Sequence, residues 1–201
     1  ERLQGLLRFG IHGVRMLCTA AIVMAFLGYF GEWLTLLPSE LLVGEACARV
    51  NEGWSYMVKL DDFVSLTAEN CGQFGTDTRL VTGLDGVIAS PAGLLEGQRL
   101  ALADVINSAA WILVVILLEI EVRLLARWVG GSRPMARLAN SLKVVLYTTL
   151  VVAAIYWGFK GDFLDFWDAA LWLFAFVFIE LNVFEWQQEI RDQTESAQGP
   201  V

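Results

Sequence analysis

The sequence predicts an all-α integral membrane protein: a four-transmembrane-helix bundle with a long second helix and an outer loop that contains a disulfide candidate. Hydrophobic residues make up 56% of the 201-residue chain, against about 45–50% in soluble domains. Charged residues make up 18%, against about 25% in soluble proteins. The apolar residues form four blocks near the 20-residue length that a helix needs to cross a bilayer.

The first block, residues 11–37, predicts the first transmembrane helix, so that residues 1–38 comprise a cytoplasmic N-terminal segment and this span. Small residues recur along it, and such residues allow close contact between membrane helices. We expect them to serve packing within the chain, with self-association as the alternative. They are Gly10, Gly13, Ala20, Ala21, Ala25, Gly28 and Gly31.

Residues 39–90 are predicted to form an extracytoplasmic loop. Cys47 and Cys71 lie in it, and an oxidising outer compartment makes them a disulfide candidate that would stabilise the fold by ~3 kcal/mol. The alternative is two separate thiols. Leu42, Ala46 and Val50 recur every four residues, which predicts a short amphipathic helix over residues 39–50.

The second helix is predicted over residues 91–129, including a transmembrane span. Ser90 is an N-cap candidate, and Pro91 suits the first helical position because its missing N–H has no intrahelical partner there. Gly130, Gly131 and Pro134 predict its end. Such a helix is about 58 Å long at 1.5 Å per residue, well beyond a ~30 Å hydrocarbon core.

The rest of the chain is predicted to form a basic cytoplasmic loop over residues 130–141, the third and fourth transmembrane helices within 142–187, and a polar cytoplasmic tail over 188–201. Lys and Arg favour the cytoplasmic side. They cluster before the first helix and between the second and third, whereas acids dominate residues 39–100. We therefore expect a plasma-membrane protein, such as one of a bacterial inner membrane, with both termini cytoplasmic and residues 39–100 mostly extracytoplasmic. Those acids are Glu40, Glu45, Glu52, Asp61, Asp62, Glu69, Asp77, Asp85 and Glu96.

Polar residues inside the apolar helices are the candidate functional residues. On the second helix Asp104, Asn107 and Glu119 share roughly one face, because their spacings follow the helical repeat. On the fourth helix, Glu180 and Asn182 lie deep. Glu119 and Glu180 are predicted at similar depth near the cytoplasmic side, where an acidic ring in an oligomer would attract cations.

Each of these glutamates also has a simpler interpretation as a structural ion pair. Glu119 precedes Arg123 by four residues, and Arg127 follows after four more, the spacing of pairs on a helix that leaves the membrane. Glu180 would pair with Lys143, which fixes the bundle. Asn182 would then be an interhelical hydrogen-bonding residue.

Several classes of function are excluded or disfavoured. The chain has one histidine, so a serine–histidine triad in the membrane and a multi-histidine metal site are not expected. The net charge of −8 argues against nucleic acid as a partner. No cofactor, metal or catalytic residue is predicted, and an enzyme acting on a lipid or quinone is the less favoured alternative.

Two functions are left. The first is an oligomeric ion channel or transport protein with acidic intramembrane residues; the second is a non-catalytic small subunit or scaffold of a larger membrane complex. The expected partners are the lipid bilayer and either copies of this chain or other membrane subunits. The predicted layout resembles that of claudins and connexins, and loosely the small membrane subunit of tripartite periplasmic transporters, in topology alone. No residue role is transferred from them.

Overall fold

The computed structural model describes the backbone of residues 2–125 and 133–197. It describes their side chains except at residues 2–9, 11–12, 15, 121–125, 133–136, 179–180, 182–184, 186–187 and 190–197. The chain divides into two compact units, Glu1–Trp128 and Val129–Val201. The first holds helices α1 (Arg2–Leu36) and α2 (Pro91–Leu125) with a β-sheet between them in sequence; the second holds α3 (Arg133–Lys160) and α4 (Phe163–Ala197).

The segment between α1 and α2 forms a five-stranded mixed sheet. Its strands are short, and they lie in the order β1-β4-β5-β2-β3. Three of the four pairings are antiparallel, and β2 pairs with β5 in parallel. Two 3₁₀-helices cover part of the sheet. The strands are β1 (Ser39–Leu41), β2 (Ser55–Lys59), β3 (Asp62–Ser65), β4 (Arg79–Val81) and β5 (Val87–Ala89), and the 3₁₀-helices are Ala46–Glu52 and Cys71–Gln73.

The predicted all-α four-transmembrane-helix bundle is therefore wrong. The segment between α1 and α2 folds into a sheet domain rather than a loop, because its apolar residues pair across long stretches of sequence. Within the described residues, three helical segments are long and apolar enough to cross a membrane, and α4 is not one of them. They are Met16–Leu36, Pro91–Ile120 and Arg137–Lys160.

The helix predicted over residues 39–50 is found only in part. Ser39–Leu41 is an edge strand, and only Ala46–Glu52 is helical, as a 3₁₀-helix. Gly44 lies between them with φ +94°, a left-handed conformation that ends regular structure and suits glycine. The three apolar residues whose spacing predicted this helix do share one side of the fold, because Leu42, Ala46 and Val50 all pack in one cluster around Ile88.

The sheet is covered on both faces. On one face, Ile88 packs with Ala46, Leu66 and Cys71, and all four are buried. On the other face, Met57 lies directly beside Gly97 of α2, where an added Cβ would be 3.0 Å from the Met57 Cε. The sheet is thus packed between a lid of 3₁₀-helices and the start of α2, an arrangement that gives a short-stranded sheet a core on both faces.

Helix α2 begins where the sequence predicts. The Gly93 N–H donates to the Ser90 Oγ at 3.1 Å, and Pro91 is the first helical residue. This is the N-cap arrangement, in which a side chain satisfies a backbone N–H that has no intrahelical partner. The described helix extends to Leu125; the predicted terminating residues Gly130 and Gly131 lie outside the described residues.

The second unit contains longer helices than predicted. Helix α3 begins at Arg133, so residues 133–141 of the predicted basic loop are helical. Helix α4 continues to Ala197, so most of the predicted polar tail is helical as well. The turn between α3 and α4 contains Gly161 at φ +75°, a conformation that glycine adopts without steric cost.

Candidate functional site

The polar face predicted on α2 is present. Asp104, Asn107 and Glu119 are all half-buried. Asp104 and Glu119 each take part in a hydrogen bond, ion pair or other electrostatic interaction. The Oδ1 atom of Asn107 is buried and accepts no hydrogen bond from the described part of the chain. Burying an amide oxygen without a donor costs free energy.

Ser108 belongs to the same face but is satisfied locally. Its Oγ donates to the carbonyl oxygen of Asp104 at 2.7 Å, and lies 3.1 Å from that of Val105. This bond to the preceding turn is common for serine within helices. Ser108 is therefore not available for a ligand in this arrangement.

The remaining candidates are placed only in part. Lys143 is half-buried on α3 and is engaged in an interaction. Glu180 and Asn182 lie on α4 and Arg123 on α2, with side chains outside the described set, and Arg127 is outside the described residues altogether. Glu119 belongs to the first unit and Glu180 to the second. The ring of acids at matched depth therefore stays a prediction.

Clusters of potential metal ligands were sought among the described side chains. The side chains that the structure describes include no group of three or more histidine, cysteine, aspartate or glutamate residues in ligating proximity. Two carboxyl groups do lie close together: Glu32 at the end of α1 is beside Asp61 in the turn between β2 and β3. That contact joins the sheet to α1.

Cys47 and Cys71, the pair singled out in the sequence, form a disulfide with a Cα–Cα distance of 4.9 Å. It joins the two 3₁₀-helices to each other over the sheet. Cys71 is buried in the cluster with Ile88. The Tyr56 and Phe74 rings meet edge to face at 5.0 Å on the same side, a geometry that aromatic pairs prefer.

An arginine of the first 3₁₀-helix makes two contacts with neighbouring side chains. The Arg49 guanidinium lies 5.0 Å from the centre of the Trp54 ring, and its Nη1 is 3.0 Å from a Glu52 carboxylate oxygen. A cation over a tryptophan face is favourable, although the exposed ion pair itself contributes little. The contact with Trp54 holds the first 3₁₀-helix near the start of β2, whereas the ion pair lies within that helix.

The junction between the sheet and the two long helices is the most closely fitted part of the first unit. The Gln98 Nε2 of α2 donates to the Leu36 carbonyl oxygen at the end of α1 at 2.7 Å. Gly83, after β4, lies so close to Thr35 that an added Cβ would overlap the Thr35 carbonyl. The Thr82 N–H donates to the Pro38 carbonyl oxygen at 3.1 Å. The sheet domain is thereby fixed to both helices.

Sequence reasoning missed this junction. Its only signals in the sequence are Gly83 and Gly97. They look like ordinary loop and helix glycines, because the segments of the same chain that pack against them are distant in sequence. The glycines of α1 show the reverse. An added Cβ at Gly10, Gly13, Gly28 or Gly31 would meet nothing within 4 Å, so none of these four glycines is closely packed against the described residues of the first unit.

Comparison with known proteins gives no match to a family model, to a curated protein or to a solved structure.

Proposed function

We propose that this chain is a multipass membrane protein that carries its sheet domain on the outer side of the membrane. The apolar surface of its helices supports this. In the most apolar part of the α1 span no side chain is buried, and in the α2 and α3 spans only 28% and 22% are buried. Surfaces of this size and character are not left in water by soluble proteins, whereas lipid covers them at no cost.

The disulfide supports the placement of the sheet domain. Disulfides persist in oxidising compartments and are rare in the cytosol. The Cys47–Cys71 bond lies in the segment between α1 and α2, so that the rest of both helices extends from an outer domain into the bilayer. The excess of acids in this segment agrees with that orientation.

Within the membrane, the chain acts as a non-catalytic subunit of an oligomeric assembly. One observation carries this proposal: from Met16 to Phe30 every α1 residue except the half-buried Phe26 is exposed, and an added Cβ at Gly28 or Gly31 would meet nothing within 4 Å. Lipid tails match an apolar surface but do not select for small residues, whereas close helix packing does. In this proposal the neighbour of α1 is a helix of another copy or of another subunit.

Substitution at these glycines tests the proposal. We expect the Gly28→Leu/Gly31→Leu double variant to lower the association constant of the assembly about tenfold, equal to ~1.4 kcal/mol. The reason is that leucine side chains prevent the close approach of the neighbouring helix. The measurement is native mass spectrometry of the gently solubilised particle. Met24→Leu, at an exposed position of the same helix, is the matched control.

The outcomes are distinct. Unmodified protein that contains several copies or other polypeptides, and that dissociates in the glycine variant, supports the proposal. Unmodified protein that is a single chain under gentle conditions contradicts it. If the assembly stays intact in both variants, α1 does not form the contact between its subunits.

A second candidate function is an ion path along α2, favoured by the half-buried Asp104 and Glu119 and by the unsatisfied Asn107 oxygen. Glu119→Gln is then expected to change conductance or ion selectivity in reconstituted vesicles, because it removes a charge that attracts cations. Glu69→Gln, in the outer sheet domain, is the control. Unaltered flux from an assembled Glu119→Gln protein counts against this function.

A further inference from the structure

The first 3₁₀-helix of the sheet domain lies between two glycines in the left-handed conformation. Gly44 has φ +94° and Gly53 has φ +76°, and at both positions an added Cβ would meet nothing within 4 Å. Glycine has the widest choice of backbone conformations. Residues 44–53, hereafter the hinged segment, therefore begin and end at points where the backbone can change direction.

Few noncovalent contacts hold the hinged segment on the sheet. The structure describes all of its residues, and none of them is hydrogen-bonded to a strand. Of the seven residues in its 3₁₀-helix, only Ala46 is buried, and Val50 is partly buried in the same cluster. The Arg49 guanidinium lies over Trp54, which directly follows the segment. The apolar area under the segment is thus small, and so is its contribution to the closed position.

The disulfide is the covalent link between the hinged segment and the second 3₁₀-helix, and its two ends differ in exposure. Cys47 is exposed, whereas Cys71 is only 4% exposed. Thiol–disulfide exchange depends on access to the attacked sulfur, and exposed disulfides are the more easily reduced ones. The Cys71 Sγ lies 3.7 Å from the Ala68 carbonyl oxygen, so a Cys71 thiol released by attack on Cys47 has an acceptor in place.

We propose that the Cys47–Cys71 disulfide is a redox-sensitive latch, which a dithiol reductant opens by attack on the Cys47 Sγ. The first thiolate forms a bond to Cys47 and breaks the bond to Cys71, which leaves with the electron pair and takes up a proton. The second thiolate of the reductant then attacks the reductant's own sulfur in this mixed disulfide. Cys47 is released as a thiolate and protonated, the reductant is oxidised to a disulfide, and both cysteines are reduced to thiols.

Reduction then releases the hinged segment without separating the strands. The strands stay joined in the order β1-β4-β5-β2-β3, and no residue of the segment belongs to them. Movement about the two glycines uncovers the apolar cluster around Ile88, with the Tyr56 and Phe74 rings that meet beside it. The open form therefore presents an apolar surface in response to a dithiol. The latch requires only the sheet domain, so it stands or falls separately from the membrane placement of α1 and α2.

Trypsin distinguishes release of the segment from unfolding of the whole domain. Residues 39–90 contain three cleavage sites: Arg49 in the hinged segment, Lys59 in β2 and Arg79 in β4. The full chain in detergent micelles is compared in its oxidised form, after reduction with dithiothreitol and removal of the reductant, and as Cys47→Ser. This variant cannot form the bond, yet it keeps the buried sulfur of the partner cysteine. Cys18→Ser, which changes an exposed free thiol, is the matched control.

We expect cleavage after Arg49 to become ~10-fold or more faster in the reduced protein and in Cys47→Ser, because proteolysis follows the population of the open form. Lys59 and Arg79 should remain uncut while Arg49 is consumed, and reoxidation of the unmodified protein should restore the original rate. Cys18→Ser should match the unmodified protein. Unchanged cleavage after Arg49 would overturn the latch. Cleavage of all three sites together would overturn it too, since the bond would then stabilise the whole domain rather than one segment.

The attacked sulfur is identified in a second measurement. Oxidised protein is exposed briefly to reduced glutathione, quenched with acid and mapped by mass spectrometry. We expect the glutathione adduct mainly on Cys47, with Cys71 recovered as a thiol, because only the Cys47 end of the bond is exposed. An adduct mainly on Cys71, or equal amounts on both cysteines, would contradict attack at Cys47.

Discussion

Replacing the disulfide, as Cys47→Ala/Cys71→Ala, is expected to lower the free energy of unfolding of the sheet domain by about 3 kcal/mol. The bond closes a loop with a sequence separation of 24, and without it the unfolded segment gains conformational freedom. The sheet has few means to compensate, because its strands have only three to five residues. The measurement is hydrogen exchange over residues 39–90 in detergent micelles or nanodiscs.

Two controls separate the bond from the loss of the buried sulfur at Cys71. Cys18→Ala removes the exposed free thiol and should leave exchange in the sheet domain unchanged. Reduction of the unmodified protein breaks the bond while keeping both sulfur atoms. If reduction leaves the protection of residues 39–90 unchanged, the disulfide does not stabilise this domain.

The second large effect is expected at the junction. Gly83→Ala should destabilise the first unit by ~1–3 kcal/mol, the usual range for inserting a methyl group into a closely packed site. The neighbouring atoms belong to the Thr35 backbone at the end of α1, so they cannot move aside by a change of rotamer. We expect faster hydrogen exchange at β4 and β5 and at the end of α1.

Gly72→Ala is the matched control, because an added Cβ there would meet nothing within 4 Å. Neither glycine adopts a positive φ, so the two substitutions differ only in the space available. Equal exchange in both variants would show that the fit between Gly83 and Thr35 does not stabilise the junction.

Features set by local chemistry were predictable from the sequence. The start of α2 follows from Ser90 and Pro91, since capping depends on residues adjacent in the chain. The pairing of Cys47 with Cys71 follows from the charge pattern of the helices on either side, which predicts an oxidising compartment. The long apolar blocks likewise predicted the three segments that, among the described residues, are long and apolar enough to cross a membrane.

The sheet was not predictable by the same means. Strands of three residues, such as Arg79–Val81 and Val87–Ala89, are too short to show alternation of polar and apolar residues. Their partners are distant in sequence: Ser39 pairs with Val81, and the parallel pairing of β2 with β5 needs the whole intervening segment. The spacing of Leu42, Ala46 and Val50 suggested an α-helix, although a strand and a 3₁₀-helix bury the same residues.

The candidate site was predictable in its components only. Helical spacing placed Asp104, Asn107 and Glu119 on one face of α2, and all three are half-buried there. Helical spacing assigns residues to a face, but it does not identify what packs against that face.

The central claim is that the sheet domain lies outside a membrane that α1 and α2 cross, and the three cysteines test it directly. Sealed cells are treated with a membrane-impermeant reductant and then with a membrane-impermeant maleimide; protein unfolded in detergent defines complete labelling. We expect labelling of Cys47, an exposed residue, from outside and protection of Cys18, which is exposed within the α1 span of the isolated chain. Labelling of Cys18, or labelling of Cys47 only after the membrane is permeabilised, would contradict this placement.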